Sequence, residues 1–519
     1  MVEMAMPDAT CELEKLRAEL AATKADLAQA RAVVSTSEAM IAGLKLEIAL
    51  LRREQYGHSA ERTARLIDQL ELQLEELVTD AAEDAIRAQK TTQVAAFERK
   101  KPVRKPFPEH LPRERVVVPA PTACTCCGSD RIVKMGEDIT ETLEGVPRQW
   151  KVIQTVREKF TCRACEKISQ PPAPFHPIPR GWAGPSLLAM IIYEKYGQHQ
   201  PLNRQAERYS REGVELSLST LADQVGAVAQ LLKPLHDLIE AHVRAAVRLH
   251  GDDTTMPLLA RGGTKTARLW TYVRDDRPFA GTAPPAVVFR FSRDRAGAHP
   301  TEHLTGWQGI LQADAYAGYN DLYRGDRKPG PVLPALCWSH ARRKFFELHA
   351  ASKSQIAQQA LLLVGELYEL ERQGQNVDAD ERLRIRQQQS RPIIDKLYNW
   401  LTEHRPKVPE GSATAKAMDY SLRRWPALTL FLRDAQVPID NNWVENQIRP
   451  VALGRKNWLF AGSLRAGQRA AAVMSLIQSA KLNGHDPHAY LKDVMDKLPT
   501  WPNSRIDELL PHRWVPAGT

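Results

Sequence analysis

Long apolar runs are missing from this sequence of 519 residues. The longest, Leu187 to Tyr193, is seven residues, well short of the ~18–20 that cross a bilayer, and no membrane span is expected. Met1 to Leu13 is mildly acidic and has no apolar core segment, so no secretory signal is expected either. Cysteine is scarce, seven in all, which excludes a disulfide scaffold. Four of the seven form two CxxC pairs, a pattern that reads as metal binding in a reducing compartment. What is present is enough apolar content, 43%, to build packed cores rather than a disordered chain. The length allows about three to five domains at ~100–200 residues each. Lys plus Arg exceed Asp plus Glu by 71 to 62, a balance compatible with a polyanionic partner but weak evidence by itself.

Leu13, Leu20, Leu27, Val34, Ile41 and Ile48 recur every seven residues, with Leu16, Leu44 and Leu51 on a companion seam that Thr23, Ala30 and Ser37 weaken. The heptad and its charged flanks predict a coiled coil, a dimerisation arm within 11–90; Ile67, Leu70, Leu74 and Leu77 extend the helical pattern. Residues 91–115 follow as a basic linker. Arg99, Lys100, Lys101, Arg104, Lys105, Arg113 and Arg115 alternate with Pro102, Pro106, Pro108 and Pro112. Proline forbids a regular helix there, leaving a solvated hinge, an arm along DNA phosphates, or both.

Residues 116–178 read as a small zinc-bound β domain. Cys124 with Cys127 and Cys162 with Cys165 are two knuckles able to close a tetrahedral thiolate site, Cys126 being an alternative to Cys127. Trp150, Val152, Val156 and Phe160 share one parity between them, as in a half-buried strand. Residues 179–245 read as helical: Leu202 to Gly213, a break, then a helix capped by Ser217 or Ser219. This is a helix-turn-helix candidate for DNA, weighed against an ordinary helical hairpin.

The period changes after Arg248. A strand runs to the carboxylates Asp252 and Asp253; Leu269 to Val273 and Ala286 to Phe291 are hairpin neighbours; Gly309 to Tyr316 is a strand carrying Asp314; Ala335 to Trp338 is another. Three antiparallel strands followed by a helix-linked pair is the plan of an RNase H-like core, here 246–465. In that plan the first and fourth strands adjoin, so Asp252 and Asp314 meet, and a later helix supplies Glu445. Three carboxylates suit two magnesium ions acting on a phosphodiester. Each acid has a plainer role: turn cap for Asp252 or Asp253, helix N-cap for Asp314, capping box with Asn442 for Glu445. Residues 346–435 are helical in pattern, an all-α insertion, and 466–519 are a C-terminal helical extension. Arg342, Arg343, Arg449, Arg455 and Lys456 are DNA-contact candidates, and Trp458 fits core packing or base stacking. A metal pair of Cys337 and His340 lacks a second pair.

The stretches Leu51 to Gly57, Gly309 to Tyr319, Cys337 to Phe345 and Ile439 to Phe460, together with the two knuckles, resemble the transposases of the insertion sequence 66 group along nearly the whole chain. The resemblance implies a multidomain α+β protein and a DDE transposase with Asp252, Asp314 and Glu445 as its triad. It implies catalytic Mg2+ or Mn2+, structural Zn2+, terminal-repeat and target DNA as partners, a homo-oligomer, accessory proteins of the same element, and a cytoplasmic, nucleoid-associated location. Asp253 departs from the Glu usual in that group. The alternatives are a catalytically silent, transposase-derived DNA-binding regulator and a structure-specific RNase H-like nuclease.

Overall fold

The computed structural model describes residues 111–516 apart from 147–148, 278–280, 375–376 and 459, together with 40, 41, 107 and 109. The expected coiled coil and most of the basic linker lie outside the described residues. The architecture is mixed α/β with two sheets.

The first sheet is built from β1 (Arg113–Val117), β2 (Ile132–Val146), β3 (Gln149–Cys162) and β4 (Ile168–Ser169). β2 and β3 form a long antiparallel hairpin, and β1 joins β3 in parallel. The linker therefore ends in a strand, and Arg113 and Arg115 pair with Glu141 and Glu137 at 3.4 and 2.7 Å. Those two side chains are engaged by protein acids, not held ready for phosphates. Of the four residues of shared parity, Trp150, Val152 and Val156 are buried and Phe160 is half-buried. Trp150 stands edge-on to Tyr209 at 5.2 Å and donates Nε1 to Glu212. This fastens one end of the hairpin to the helices that follow, α1 (Pro185–Tyr196), α2 (Leu202–Arg211) and α3 (Leu218–Arg244). At the same junction buried Glu144 accepts the Ser186 backbone N–H at 2.9 Å, and burial pushes its carboxyl up to about 7.

α2 and α3 are joined by a turn in which Gly213 takes φ +88°, and Ser217 caps α3 through the Thr220 N–H. The two helices and glycine turn of the helix-turn-helix expectation are thus present. α3 is buried on nearly all sides from Leu221 to Val228, because its apolar residues cover several faces, and it packs against the second sheet, α1 and a late helix. A groove-reading helix needs an exposed face near its start; there α3 has a half-buried first turn and exposed Asp223, while its exposed strip of Lys233, Asp237 and Ala241 lies in the second half. Arg208 of α2 is likewise engaged, 2.6 Å from Glu194.

The second sheet holds β5 (Arg248–Ala260), β6 (Gly263–Arg274), β7 (Ala286–Ser292), β8 (Ile310–Ala313) and β9 (Leu333–Leu336), in the order β7-β6-β5-β8-β9. β5, β6 and β7 are antiparallel; β8 lies parallel to β5 and β9 parallel to β8. β5 is longer than the expected strand, because its pairing with β6 continues past the acids to Ala260. Between β7 and β8 lies the short α4 (Ala298–His303). The helical insertion spans α5 (Trp338–Ser352), α6 (Gln355–Gln373), α7 (Ala379–Ile385), a π turn, α8 (Arg391–His404), α9 (Ala413–Leu422) and α10 (Trp425–Leu428). Trp338, Phe345, Val364, Leu367, Leu397 and Leu401 form its separate core, each burial contributing ~1.5–3 kcal/mol. Fully buried Arg386 grips Glu371 with Nε and Nη2 at 2.8 and 2.7 Å. Its Nη1 reaches the carbonyls of Phe431 and Val437 at 2.9 and 3.0 Å, tying the insertion to the segment that returns to the sheet.

That segment leads into α11 (Asn442–Gly454), which continues past Pro450 instead of ending there. The carbonyl that proline leaves unpaired belongs to exposed Asn446, where water can satisfy it. α12 (Leu464–Leu482) then runs along β7, and α13 (Pro487–Lys497) packs on α1. The Ser479 and Ser475 hydroxyls accept the N–H groups of Val287 and Phe289 at 3.0 and 2.9 Å. A helix thus takes the hydrogen-bonding place of a sixth strand at this edge.

Candidate active site and metal centre

Register brings the first two acids together. His250 pairs with Gln312 across β5 and β8. Two residues further on, Asp252 and Asp314 stand at the same level of neighbouring strands, just where β8 stops. Gly251 suits this crossing closely: a Cβ there would come within 3.0 Å of the Leu311 side chain.

Asp252 and Asp253 diverge, as successive strand residues must. Asp253 is 1% exposed and held by Arg268 at 3.1 Å and Arg295 at 2.8 Å. Asp252 has no cation within ion-pair distance among the described residues. Burial pushes its carboxyl up to about 7. The Asp253 N–H opposes this at 2.8 Å, and the charges of Asp314, Asp253 and Glu445 add to it. Asp252 therefore senses both other candidate acids electrostatically. Asp314 accepts the Tyr316 N–H at 3.1 Å and lies 3.6 Å from Arg295. Glu445 sits in the first turn of α11, 3.9 Å from His340 Nε2. Its expected capping box with Asn442 is not formed: Asn441 is the cap residue, and Asn442 bonds Asp440 instead.

Asn441 does what the sequence did not signal. It is 1% exposed. Its Nδ2 donates to the Gly251 carbonyl at 2.9 Å, so its Oδ1 faces His250 Nδ1 at 3.2 Å and accepts from it. Burial pulls His250 down to about 4, keeping it neutral. The Asn441 N–H reaches Cys337 Sγ at 3.2 Å. One side chain thus fastens the start of the Glu445 helix to the strand beside Asp252. Cys337 is buried in this contact, and no cluster of three or more metal-ligating side chains among the described residues includes it.

The basic candidates divide. Arg342 and Arg343 on α5, Arg449 one turn after Glu445, and Lys456 are exposed. Arg455 is instead tied to β5 through the Thr254 and Thr255 hydroxyls at 3.0 and 2.8 Å. Trp458 packs on His199 and Tyr196 at 5.0 and 6.0 Å, a core role. Arg295, which bridges Asp253 and Asp314, was missed; its only sequence signal is a basic loop just after a strand.

The cysteines form a closed cluster at the far end of the β2–β3 hairpin. Cys124, Cys127, Cys162 and Cys165 are the only group of three or more His, Cys, Asp or Glu among the described residues whose ligand atoms all lie within 4.8 Å of one another. The acid triad is more open. Sulfur separations of 3.6 to 3.7 Å match the ~3.8 Å edge of a tetrahedron with ~2.3 Å zinc–sulfur bonds. The Cys127 and Cys126 amides pull the Cys124 thiol down to about 6, while Cys165 rises to about 12 despite the Lys167 amide. Four sulfurs this close cannot all ionise without a cation. Cys126 lies outside the cluster, exposed and 2.9 Å from Lys167 Nζ.

Comparison with known proteins gives four family matches. Residues 180–469 match the family described as "Transposase IS66 family". Residues 43–116 match "Transposase C of IS166 homeodomain", 121–166 "zinc-finger binding domain of transposase IS66", and 475–512 "IS66 C-terminal element". Two uncharacterized proteins of Sinorhizobium fredii (strain NBRC 101917 / NGR234) are similar over most of their length. y4hP is 52% identical over 92% of this chain and 89% of its own. y4qI is 37% identical over the same shares.

Proposed function

The chain belongs to the transposase IS66 family, and from that premise we propose that it is a DDE-type transposase. It cuts and rejoins DNA strands at the ends of an insertion sequence, with Asp252, Asp314 and Glu445 as catalytic acids. One observation carries the reading. Asp252, buried on β5 with no cation in ion-pair distance among the described residues, has its carboxyl lifted to about 7 by burial first, and further by the charges of Asp314, Asp253 and Glu445, which come from the next strand's end, its own strand and a distant helix. The sheet order, three antiparallel strands with two parallel ones beside β5, supports an RNase H-like core.

The donor set fits magnesium or manganese: hard carboxylate oxygens in an open arrangement that leaves room for water ligands. When bound, such ions activate the attacking oxygen and stabilise the leaving one at phosphorus. The chain's own groups do the rest. Asn441 holds the Glu445 helix against β5. Arg295 neutralises Asp253 and so limits the negative charge facing Asp252 and Asp314. Arg342, Arg343, Arg449 and Lys456 are exposed to meet phosphates. The zinc unit of 116–178 and the heptad arm of 11–90 serve DNA-end recognition and self-assembly, with further proteins of the same element as candidate partners.

The test is cleavage of a labelled duplex carrying the DNA ends that flank this gene, with magnesium, with EDTA, and with Asp252→Asn. Magnesium-dependent nicking at the boundary, lost in the variant, is expected. End binding without nicking, even after the element's other products are added, refutes catalysis and favours a silent regulator.

A further inference from the structure

A cavity of about 430 Å³ opens beside Asp314, between the sheet and the helical insertion. This is the size of an ordinary small-ligand site. Its near wall is the loop after β8, with Asp314, Tyr316, Asn320 and Tyr323; its far wall carries Arg423, Arg424 and Arg433. Resting on the catalytic reading above, we propose that this cavity takes a single nucleotide unstacked from the DNA next to the phosphate handled at the acids.

The chemistry of the walls selects that occupant. Tyr323 lines the near wall, with its hydroxyl buried behind it. Asn320 is exposed there, and its amide can bond the edge of a base. Arg295 lies over the Tyr316 ring at 4.0 Å and fixes that part of the wall. Leu333, half exposed, and Leu430 give the apolar remainder. The guanidiniums answer a phosphate. Arg433 is exposed with no side-chain partner among the described residues, Arg423 lies 3.6 Å from Asp419, and Arg424 lies over Tyr420 at 4.7 Å. A flat ring with polar edges and an attached anion is a nucleotide. The Asp314 carboxylate at the mouth ties it to the strand under attack. Extruding a base has a cost that stacking and phosphate contacts in the cavity can offset. The insertion then completes the site, since the far wall of the cavity belongs to it.

Duplexes ending in the flanking DNA would carry 2-aminopurine at successive positions around the cleavage point. Full-length protein would be added with calcium for binding and with magnesium for cleavage. One position is expected to brighten several-fold on binding. Ala427→Trp, which fills the cavity, should abolish that signal while duplex binding persists. Arg433→Ala, at an exposed side chain that leaves the fold intact, should weaken it roughly five-fold or more. Nicking with no brightened position, or a signal unchanged in both variants, overturns the proposal and spares the catalytic reading. A signal lost in the variants but without nicking keeps the pocket and sinks that reading. Displacement of the signal by free deoxynucleoside triphosphates, with nicking unaffected, would reassign the cavity to a free nucleotide and overturn the proposal.

Discussion

Replacing Asn441 with alanine removes a side chain that touches no expected ligand, yet it should damage both stability and cleavage. The substitution strips the donor from the Gly251 carbonyl and the acceptor from His250 Nδ1. Both groups lie where water enters poorly, since Gly251, His250 and Asn441 are buried. Each orphaned group costs ~1–3 kcal/mol; with partial relaxation the total should be about 3 kcal/mol, or roughly 6–12 °C in the melting of the core. The start of α11 would also be freed from β5, and a shift of about 1 Å at Glu445 can cost ~100-fold in rate. Urea denaturation gives the first number and the labelled-duplex assay the second. A double-mutant cycle with His250→Ala should return a coupling of ~0.5–3 kcal/mol. Loss of less than ~1 kcal/mol, or strict additivity with His250→Ala, would refute the clamp.

Asp314→Asn should abolish strand cleavage and leave DNA binding nearly intact, checked by gel shift beside the cleavage assay. Cys162→Ser should lower zinc content and unfold the zinc unit with weakened end binding; unchanged zinc by elemental analysis would refute the ligand set. Glu144→Gln addresses pH. The carboxyl is raised from an ordinary 4.5 to about 7 by burial, so the stability it contributes is complete below pH ~4.5 and lost as pH rises through ~7. The variant should therefore match the wild type at pH 4 and exceed it by ~2–3 kcal/mol at pH 8.5 in urea titrations. Arg386→Met should destabilise the insertion by ~3–5 kcal/mol, because Glu371 is left as an uncompensated, largely buried charge; near-neutral melting would refute it.

Much of the site could be read from local pattern. Strand parity and turn signals placed Asp252 on one strand and Asp314 at the end of another, though β5 runs on past Asp252; CxxC spacing picked the four clustered cysteines, and apolar spacing marked the helical insertion. What escaped depends on partners far along the chain. Nothing local says that Asn441 meets residues 190 positions away, or that Arg295 spans two acids. α3 looked like half of a DNA-reading pair because its cap and turn are local. Its burial depends on a sheet and a helix that appear later in the sequence. Asp253 was ambiguous for the same reason: only Arg268 and Arg295 distinguish its face of β5 from that of Asp252.

The two serines that bond the edge of β7 have a consequence for biosynthesis. During translation the sheet is complete by Leu336, but the helix that covers its outer strand is not made until Leu482. For some 140 residues of elongation, at ~5–20 residues per second, the backbone groups of Val287 and Phe289 await Ser479 and Ser475. A copy cut short by an early stop codon before α12 would keep Asp252, Asp314 and Glu445, the proposed catalytic acids, and still expose a bare edge to neighbouring chains. Degenerate copies of such a gene should therefore yield insoluble product before they yield inactive enzyme.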